Sequence, residues 1–128
     1  MTSKEEIGKF GEDMAAKYLV SLGWKIIARN IRNNYGEIDA VAVDPKSDEL
    51  VIVEVRARTV GKTQGPVESV GARKLRTLLR SSQYFIEELG WTGFWRIDVI
   101  GLTLRSREAP YDWELEHVRD ITTDIFTG

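Results

Sequence analysis

The fold is decided by residues 36–58, which read GEIDAVAVDPKSDELVIVEVRAR. Two runs rich in apolar and β-branched residues, 37–43 and 50–58, flank the polar segment 44–49. Apolar runs of this length on either side of a turn-forming segment are typical of antiparallel strands. This stretch therefore predicts a β-hairpin.

Each strand of the predicted hairpin carries an acid where an acid is costly. Asp39 and Glu54 interrupt the apolar runs. Arg56 follows Glu54 by two residues, so Glu54 and Arg56 project from one face of the strand. A buried carboxylate has to be paired, protonated or bound to a metal. One interpretation is an ion pair of Glu54 with Arg56 or Arg29. The other is that Asp39 and Glu54 lie together on adjacent strands, where a divalent cation would relieve their repulsion.

The rest of the chain supplies the other elements of a sheet with helices. Apolar periodicity predicts helices over residues 3–22 and 66–89, and β-rich segments predict strands over residues 24–31, 94–104 and 113–121. Together with the hairpin, the order is α-β-β-β-α-β-β. This order predicts an α/β fold, with a mixed β-sheet and a helix on each side of it.

Composition limits both the size of the fold and the kind of site. We expect the 128 residues to form a single domain, 1–128, with its core at about 3–104 and a C-terminal strand and tail at 105–128. The chain has no cysteine and one histidine, so oxygen atoms would hold any metal, which favours Mg²⁺, Mn²⁺ or Ca²⁺. There is no apolar signal segment or membrane-spanning stretch, so we expect a cytoplasmic protein without a membrane partner.

The charges are unevenly distributed along the chain. The net charge is −2, yet residues 56–80 hold one acid among many basic residues, and residues 108–124 are mostly acidic where charged. Basic clusters of this kind bind the phosphates of nucleic acids, although a solvated basic helix face would give the same pattern. The candidate backbone contacts are Arg58, Lys62, Arg73, Lys74, Arg76 and Arg80.

A set of short motifs over about residues 7–100 carries a family resemblance. The motifs are Gly11-Glu12, Ala15-Ala16, Tyr18-Leu19, Gly23, Asn30, Gly36-Glu37-Ile38-Asp39, Val53-Glu54-Val55, Lys74 and Arg96-Ile97-Asp98-Val99. Together they resemble the YraN-like family, a bacterial group of uncharacterised, endonuclease-like proteins. That family belongs to the PD-(D/E)XK superfamily and is similar to Holliday junction resolvases. The resemblance implies a restriction-endonuclease-like fold, with Asp39 and Glu54 as metal-binding acids and Glu12 as an additional acid.

The chain departs from the family pattern at Arg56, where the pattern has lysine. Arginine stays protonated at any working pH and cannot accept a proton from water, although it can bind a phosphate and stabilise charge. Three alternatives follow. Arg56 acts only as an electrostatic partner, or Lys74 of the second helix supplies the ammonium group, or catalysis is lost and binding is kept.

These interpretations lead to two functional hypotheses. In the first, Glu12, Asp39, Glu54, Arg56 and Lys74 are catalytic, and the three acids bind Mg²⁺ or Mn²⁺ for phosphodiester hydrolysis in nucleic acid, with DNA expected. The resemblance to resolvases points to branched or structured DNA and to a homodimer. The alternative is a catalytically inactive binding or scaffold module with the nuclease fold, which Arg56 and the net negative charge both favour.

Overall fold

The computed structural model describes residues 3–61, 64–106 and 111–121. Within these residues the elements follow the predicted order. The helices are α1 (Lys4–Ser21) and α2 (Ala72–Leu89), and the strands are β1 (Lys25–Asn33), β2 (Gly36–Asp44), β3 (Glu49–Thr59), β4 (Trp95–Leu104) and β5 (Trp113–Val118). In the described part of the chain, neither helix is long and apolar enough to cross a membrane.

The five strands form one mixed sheet in the order β1-β2-β3-β4-β5. Strands β3 and β4 are parallel, and the other neighbours are antiparallel. A parallel pair needs a crossover connection, and α2 lies in that connection. Helices α1 and α2 pack on opposite faces of the sheet, so the predicted α/β fold is confirmed and is consistent with a restriction-endonuclease-like fold.

Two apolar cores, one on each face of the sheet, hold the layers together. The α1 core contains Ala15, Leu19, Trp24, Ala40, Ala42, Val51, Val53, Ile100 and Leu102. The α2 core contains Ile38, Val41, Leu50, Ile52, Leu78, Ile86, Ile97, Val99 and Ile121. Alternate residues of β3 go to opposite cores, as in a strand that is buried on both faces. Glu54 therefore belongs to the series of β3 residues on the α2 side.

Helix α1 has a capped start and approaches β3 closely. Ser3 caps the helix, because its Oγ accepts a hydrogen bond from the backbone N–H of Glu6 at 3.2 Å. A Cβ at Gly11 would lie 2.8 Å from the Cβ of Ala57, so only glycine lets the helix lie this close to β3. This contact sets the position of the next residue, Glu12, relative to the strand.

Helix α2 begins at Ala72 rather than at Pro66, so the predicted start was wrong. Gly71 precedes the helix in an extended conformation, and the hydroxyl of Ser69 donates to the carbonyl oxygen of Pro66 at 2.6 Å. Local side-chain hydrogen bonds of this kind compete with helix formation. Residues 65–70 therefore form a separate turn, called the pre-helix turn below.

The pre-helix turn packs against β4 at Gly101. A Cβ at Gly101 would lie 2.9 Å from side-chain atoms of both Pro66 and Val67. Val67 and Val70 pack at the margin of the α2 core. They continue the apolar stripe of the helix, which is why periodicity alone extended the predicted helix across the turn.

Strand β5 ends at Val118 rather than at the predicted Ile121. Asp120 has a positive φ of 54°, and its backbone N–H donates to Asp98 Oδ1 at 2.9 Å. The backbone N–H of Ile121 then donates to Ile97 O at 2.8 Å, and its side chain is buried. The chain thus turns back against β4 where the strand was expected to continue.

A buried ion-pair network joins β4 to the turn between β2 and β3. The guanidinium group of Arg96 lies 2.9 Å from Asp98, 3.1 Å from Asp44 and 2.7 Å from Glu49. His117 Nε2 lies 2.8 Å from the other oxygen of Asp98. Burial alone would raise the pKa of Asp98, but hydrogen bonds from His117 and Arg96 hold it below its ordinary value. The three acids share the guanidinium group of Arg96 and are all hydrogen-bonded, so we assign the network to stability.

Candidate functional site

Asp39 and Glu54 meet where the ladder between β2 and β3 ends. The last paired residues are Ala40 and Val53, so the next position on each strand holds one of the two acids. The backbone N–H of Val55 donates to Asp39 Oδ2 at 2.8 Å. This bond fixes Asp39 against β3, and its carboxyl interacts with the Glu54 carboxyl.

The backbone around Asp39 departs from a regular strand. Ile38 packs in the α2 core and Ala40 in the α1 core, although residues two apart in a regular strand share a face. On β1, between the partners of these two residues, Asn30 has a positive φ of 52°. Asp39 lines a cleft of about 240 Å³ at this irregularity. The lining residues are Asn30, Ile31, Arg32, Glu37 and Asp39.

The carboxyl of Glu54 is buried next to another acid. The residue is 4 % exposed, and burial is the main reason why its pKa is raised from 4.5 to about 8. The neighbouring carboxyl of Asp39 raises it further, while the charges of Lys74 and Arg56 lower it. No described residue makes a hydrogen bond to Glu54 Oε2. Such a group is costly to bury, and perturbed acids of this kind concentrate at functional sites.

Glu12 approaches the same acids from α1. It is half-buried, and within residues 3–61, 64–106 and 111–121 its Oε1 has no hydrogen-bond partner. Burial raises the pKa of Glu12, the charge of Asp39 raises it further, and Arg29 lowers it. Asp39 is thus coupled both to Glu12 and to Glu54, and we treat the three carboxyls as one neighbourhood.

The donor atoms of this neighbourhood are of the chemical kind that divalent cations prefer. It consists of three carboxyl groups, two of which have an oxygen that no described residue hydrogen-bonds, and such hard oxygen donors are preferred by Mg²⁺ and Mn²⁺. Among the described residues, no three Asp, Glu or His side chains already form a metal cluster. Binding a cation would therefore require the carboxyl groups to rotate toward it.

Lys74, in the first turn of α2, forms an ion pair with Glu54. Its Nζ lies 3.4 Å from Glu54 Oε2, without hydrogen-bond geometry, and its side chain is 37 % exposed. The predicted pairs of Glu54 with Arg29 or Arg56 were wrong. Arg29 instead binds Asp13 at 2.8 Å, because the two side chains face each other across α1 and β1.

Arg56 is held by the pre-helix turn. Its Nε donates to Ser69 Oγ at 3.1 Å, and a terminal nitrogen donates to Ser69 O at 3.4 Å. The charge of Arg56 still acts on Glu54, but its donors are directed at Ser69. The position that carries lysine in the family pattern is thus tied to a turn, and the ammonium group beside the acids comes from Lys74.

Comparison with known sequences identifies the family. The profile of the uncharacterised protein family UPF0102 matches residues 11–102, a range that includes Glu12, Asp39, Glu54 and Lys74. The chain belongs to UPF0102. This family is the YraN-like group, so the resemblance drawn from the short motifs is confirmed.

The UPF0102 relatives are similar over most of their length. A UPF0102 protein of Mycobacterium sp. (strain JLS) is 36 % identical over 121 residues, which cover 93 % of this chain and 87 % of the relative. One from Mycobacterium tuberculosis is 36 % identical over 121 residues, covering 93 % and 94 %. One from Marinobacter nauticus is 41 % identical over 99 residues, covering 77 % and 79 %. Their names state the family and no activity.

The basic residues of α2 form a stripe in this UPF0102 member. Arg73, Arg76 and Arg80 are exposed, and their three- and four-residue spacing places them on one side of the helix. These three residues are called the arginine stripe below. Arg58 lies half-buried near the end of β3, away from the helix in sequence. Lys62, the remaining predicted backbone contact, lies outside the described residues.

Two site residues of this UPF0102 chain were absent from the predicted set. Ser69 holds Arg56 but was hidden inside the predicted helix, and its only signal was the tendency of serine to form local turns. Asn30 lies opposite Asp39, and asparagine is one of the few residues that readily adopt a positive φ. Neither placement can be read from the sequence without the register of β1 and β2 and the position of the pre-helix turn.

Proposed function

We propose that this UPF0102 protein is a Mg²⁺- or Mn²⁺-dependent nuclease that hydrolyses phosphodiester bonds in DNA. One observation carries the proposal: the Glu54 carboxyl is almost fully buried beside Asp39, and no described residue makes a hydrogen bond to its Oε2. A fold loses stability by burying two adjacent acids in this way. A divalent cation would neutralise the acids and complete their coordination.

Glu12, Asp39 and Glu54 are the residues that would hold the cation, because their carboxyls are electrostatically coupled. When bound, such a cation polarises a phosphoryl oxygen and makes a water molecule more acidic. The protein itself contributes the fixed positions of these three carboxyl groups. The acids stand on two strands and a helix that are fixed by the α1 and α2 cores, and rigid elements position a site better than loops do.

Lys74 is the residue that we assign to the phosphate. Its ammonium group stands 3.4 Å from Glu54 Oε2 and remains partly accessible from outside. A cation at this place stabilises the negative charge that develops on a phosphate under attack. Arg56 cannot take a proton from water and its donors are engaged by Ser69, so its role is electrostatic only.

The arginine stripe would bind the backbone of the nucleic acid. Contacts to phosphates position a strand without reading its sequence, and the affinity they supply falls as salt rises. Arg58 is a further candidate for such a contact. A preference for branched DNA and a homodimeric state stay predictions from the family resemblance.

A second candidate function is favoured by the contact between Arg56 and Ser69. This contact leaves the lysine position of the family pattern occupied by a group that is permanently charged and turned toward the pre-helix turn. With Lys74 paired to Glu54, the site can also serve as a binding module that retains the cation and the nucleic acid without cleaving it.

Cation binding is the first test of the proposal. Mn²⁺ is titrated calorimetrically into the wild-type protein and into the Asp39→Asn and Glu54→Gln variants, with Asp13→Asn as the control. Asparagine at position 39 can still accept the N–H of Val55, so the fold should be preserved. We expect Asp39→Asn and Glu54→Gln each to weaken binding by about tenfold or more and the control to bind normally. Absence of Mn²⁺ binding at about millimolar concentration, or equal binding by all variants, would contradict the proposal.

Cleavage is the second test, and it separates the two candidate functions. Plasmid, single-stranded and four-way-junction DNA are incubated with Mg²⁺ and wild-type protein, Lys74→Ala or Arg56→Lys, with Arg73→Ala as the control for lost positive charge. Cleavage that is abolished by Lys74→Ala and retained in Arg56→Lys and Arg73→Ala supports the nuclease. Cleavage gained only in Arg56→Lys supports the binding module, and so does DNA binding without cleavage by any form.

A further inference from the structure

Two tyrosine rings face each other on the surface between the β1–β2 turn and α2. Tyr35 lies in the turn and Tyr84 lies on the helix, and their ring centroids are 5.6 Å apart with an interplanar angle of 50°. The residues are 49 % and 39 % exposed. They line a pocket of about 310 Å³, here called the tyrosine pocket. Its lining residues are Tyr35, Arg80, Gln83, Tyr84 and Glu87.

The turn that carries Tyr35 is tied to α2. The side chain of Asn33 donates to the backbone oxygen of Ser81 at 3.1 Å and accepts the backbone N–H of Tyr35 at 2.9 Å. A Cβ at Gly36 would lie 2.8 Å from Ser81 Oγ, so the turn can approach the helix only with glycine at this place. The position of Tyr35 relative to α2 is therefore set by the fold, before any ligand is present.

The chemistry of the tyrosine pocket matches an unpaired base. Exposed aromatic rings stack on the faces of bases, and Arg80 next to them can contact a phosphate or stack in the same way. Gln83 both donates and accepts hydrogen bonds, and Glu87 accepts them, so the pocket can satisfy the edge of a base.

The tyrosine pocket is continuous with the arginine stripe. Arg80 belongs to both, and the spacing of Arg73, Arg76, Arg80 and Tyr84 keeps them on one side of α2. A strand lying on this side would meet positive charge and then aromatic rings.

The distance to the acids is set by two independent elements. Tyr84 follows Lys74 by ten residues of helix, which is about 15 Å along its axis. Tyr35 precedes Asp39 by four residues along the chain, which is at most about 13 Å of strand. Both correspond to about four nucleotides of a stacked strand at 3.4 Å each.

We propose that the tyrosine pocket binds an unpaired base of a nucleic-acid strand whose backbone follows the arginine stripe, about four nucleotides from the acids. This inference rests on the proposed function for the identity of the ligand as nucleic acid, but it requires neither cation binding nor cleavage. It names the substrate class as a strand with unpaired bases, such as a single strand or a flap.

The experiment measures binding without any divalent cation. Single-stranded oligonucleotides that carry 2-aminopurine at successive positions, and a blunt duplex of the same sequence, are titrated with wild-type protein in EDTA. The variants are Tyr35→Ala, Tyr84→Ala and Tyr84→Phe. Phe94→Ala is the matched control, because Phe94 is 84 % exposed and lies in the loop after α2.

The expected result has three parts. Wild-type protein changes the fluorescence of 2-aminopurine at a defined position, as stacking requires. Tyr35→Ala and Tyr84→Ala weaken single-strand binding by about 5- to 100-fold and leave duplex binding unchanged. Tyr84→Phe and Phe94→Ala bind the single strand like the wild type, because phenylalanine keeps the stacking face and Phe94 lies outside the pocket.

Two results would overturn the inference. One is single-strand binding by wild-type protein with no fluorescence change at any position, a measurement that needs no variant. The other is binding that does not depend specifically on the two tyrosines, either because Phe94→Ala loses as much as the tyrosine variants or because none of the three variants loses affinity. Tyrosine-dependent binding together with failed cleavage would reject the proposed hydrolysis and keep this pocket. Intact cleavage together with tyrosine-independent binding would do the reverse.

Discussion

The substitution Glu54→Gln should stabilise the protein at alkaline pH, in the absence of a divalent cation. The folded state holds the pKa of Glu54 at about 8 against an ordinary value of 4.5, chiefly by burial. Below pH 4.5 the carboxyl of Glu54 is protonated in both the folded and the unfolded state, so it does not change the free energy of unfolding. Above about pH 8 the carboxyl is charged in both states, and burying this charge lowers the free energy of unfolding by the full amount. The free energy of unfolding should therefore fall as pH rises between 4.5 and about 8.

The size of the effect follows from that shift. At about 1.4 kcal/mol for each pH unit, a rise from 4.5 to about 8 corresponds to at most about 5 kcal/mol. The amide of the variant also needs a hydrogen bond in the same place, which offsets about 1–3 kcal/mol of the gain. Lys74 loses its partner at little cost, because it is partly hydrated. We expect a net stabilisation of about 2–4 kcal/mol near pH 9, which gives way near pH 4.5 to a loss of about 1–3 kcal/mol from the amide.

Urea denaturation in EDTA, followed by circular dichroism at a series of pH values, measures this difference. Glu88→Gln is the control, because Glu88 is exposed on the same side of the sheet, at the end of α2, and should change stability by less than about 0.5 kcal/mol at any pH. The reasoning would be refuted if Glu54→Gln were less stable than the wild type near pH 9. It would also be refuted by a difference that does not depend on pH.

Four further substitutions test the packing of the fold by urea denaturation. Gly101→Ala should lose about 1–3 kcal/mol, because its Cβ would collide with the pre-helix turn, whereas Gly8→Ala on α1 has open space and should gain about 0.5–1 kcal/mol. Asp98→Ala should lose about 3–5 kcal/mol, because it removes one of the three carboxylates that bind the buried Arg96 together with the acceptor for His117 and the Asp120 N–H, and a loss below about 1 kcal/mol would show that the network is dispensable. Ser69→Ala should lose about 1 kcal/mol with its hydrogen bond to the guanidinium group, and unchanged stability would mean that this contact is absent in solution.

The fold and the positions of Asp39 and Glu54 could be predicted from the sequence, because both depend on the two-residue alternation of side chains along a strand. Side chains alternate across a strand, so the run from Leu50 to Arg56 fixes which residues face each core, and a hairpin with a short turn fixes which residues are opposite. The position of Asp39 beside Glu54 follows from these two rules alone. The prediction that Glu12 lies near these acids came from the family resemblance. The periodicity of α1 shows which side of the helix is apolar, but it does not show which strand that side packs against.

The environment of Arg56 was not accessible, for a physical reason. Its partner, Ser69, lies thirteen residues away in a segment whose apolar spacing continues that of α2. Whether such a segment is helix or turn is decided by a local serine hydrogen bond and by the space that Gly101 leaves on a distant strand. The sequence also left open whether Lys74 supplies the ammonium group of the site. The direction of its side chain depends on where α2 begins, and apolar spacing does not show that.

The hydrogen bond from the Val55 N–H to Asp39 allows the state of the site to be followed by the hydrogen exchange of one backbone amide in β3. One carboxylate holds a strand amide and is also the group proposed to turn toward a cation. If Asp39 turned away, this amide would lose its acceptor, and its hydrogen exchange would accelerate while the amides of Leu50 to Val53 stayed protected by the ladder. The exchange rate of a single amide, one residue from Glu54, would then report on the occupancy of the acids without any substrate being turned over.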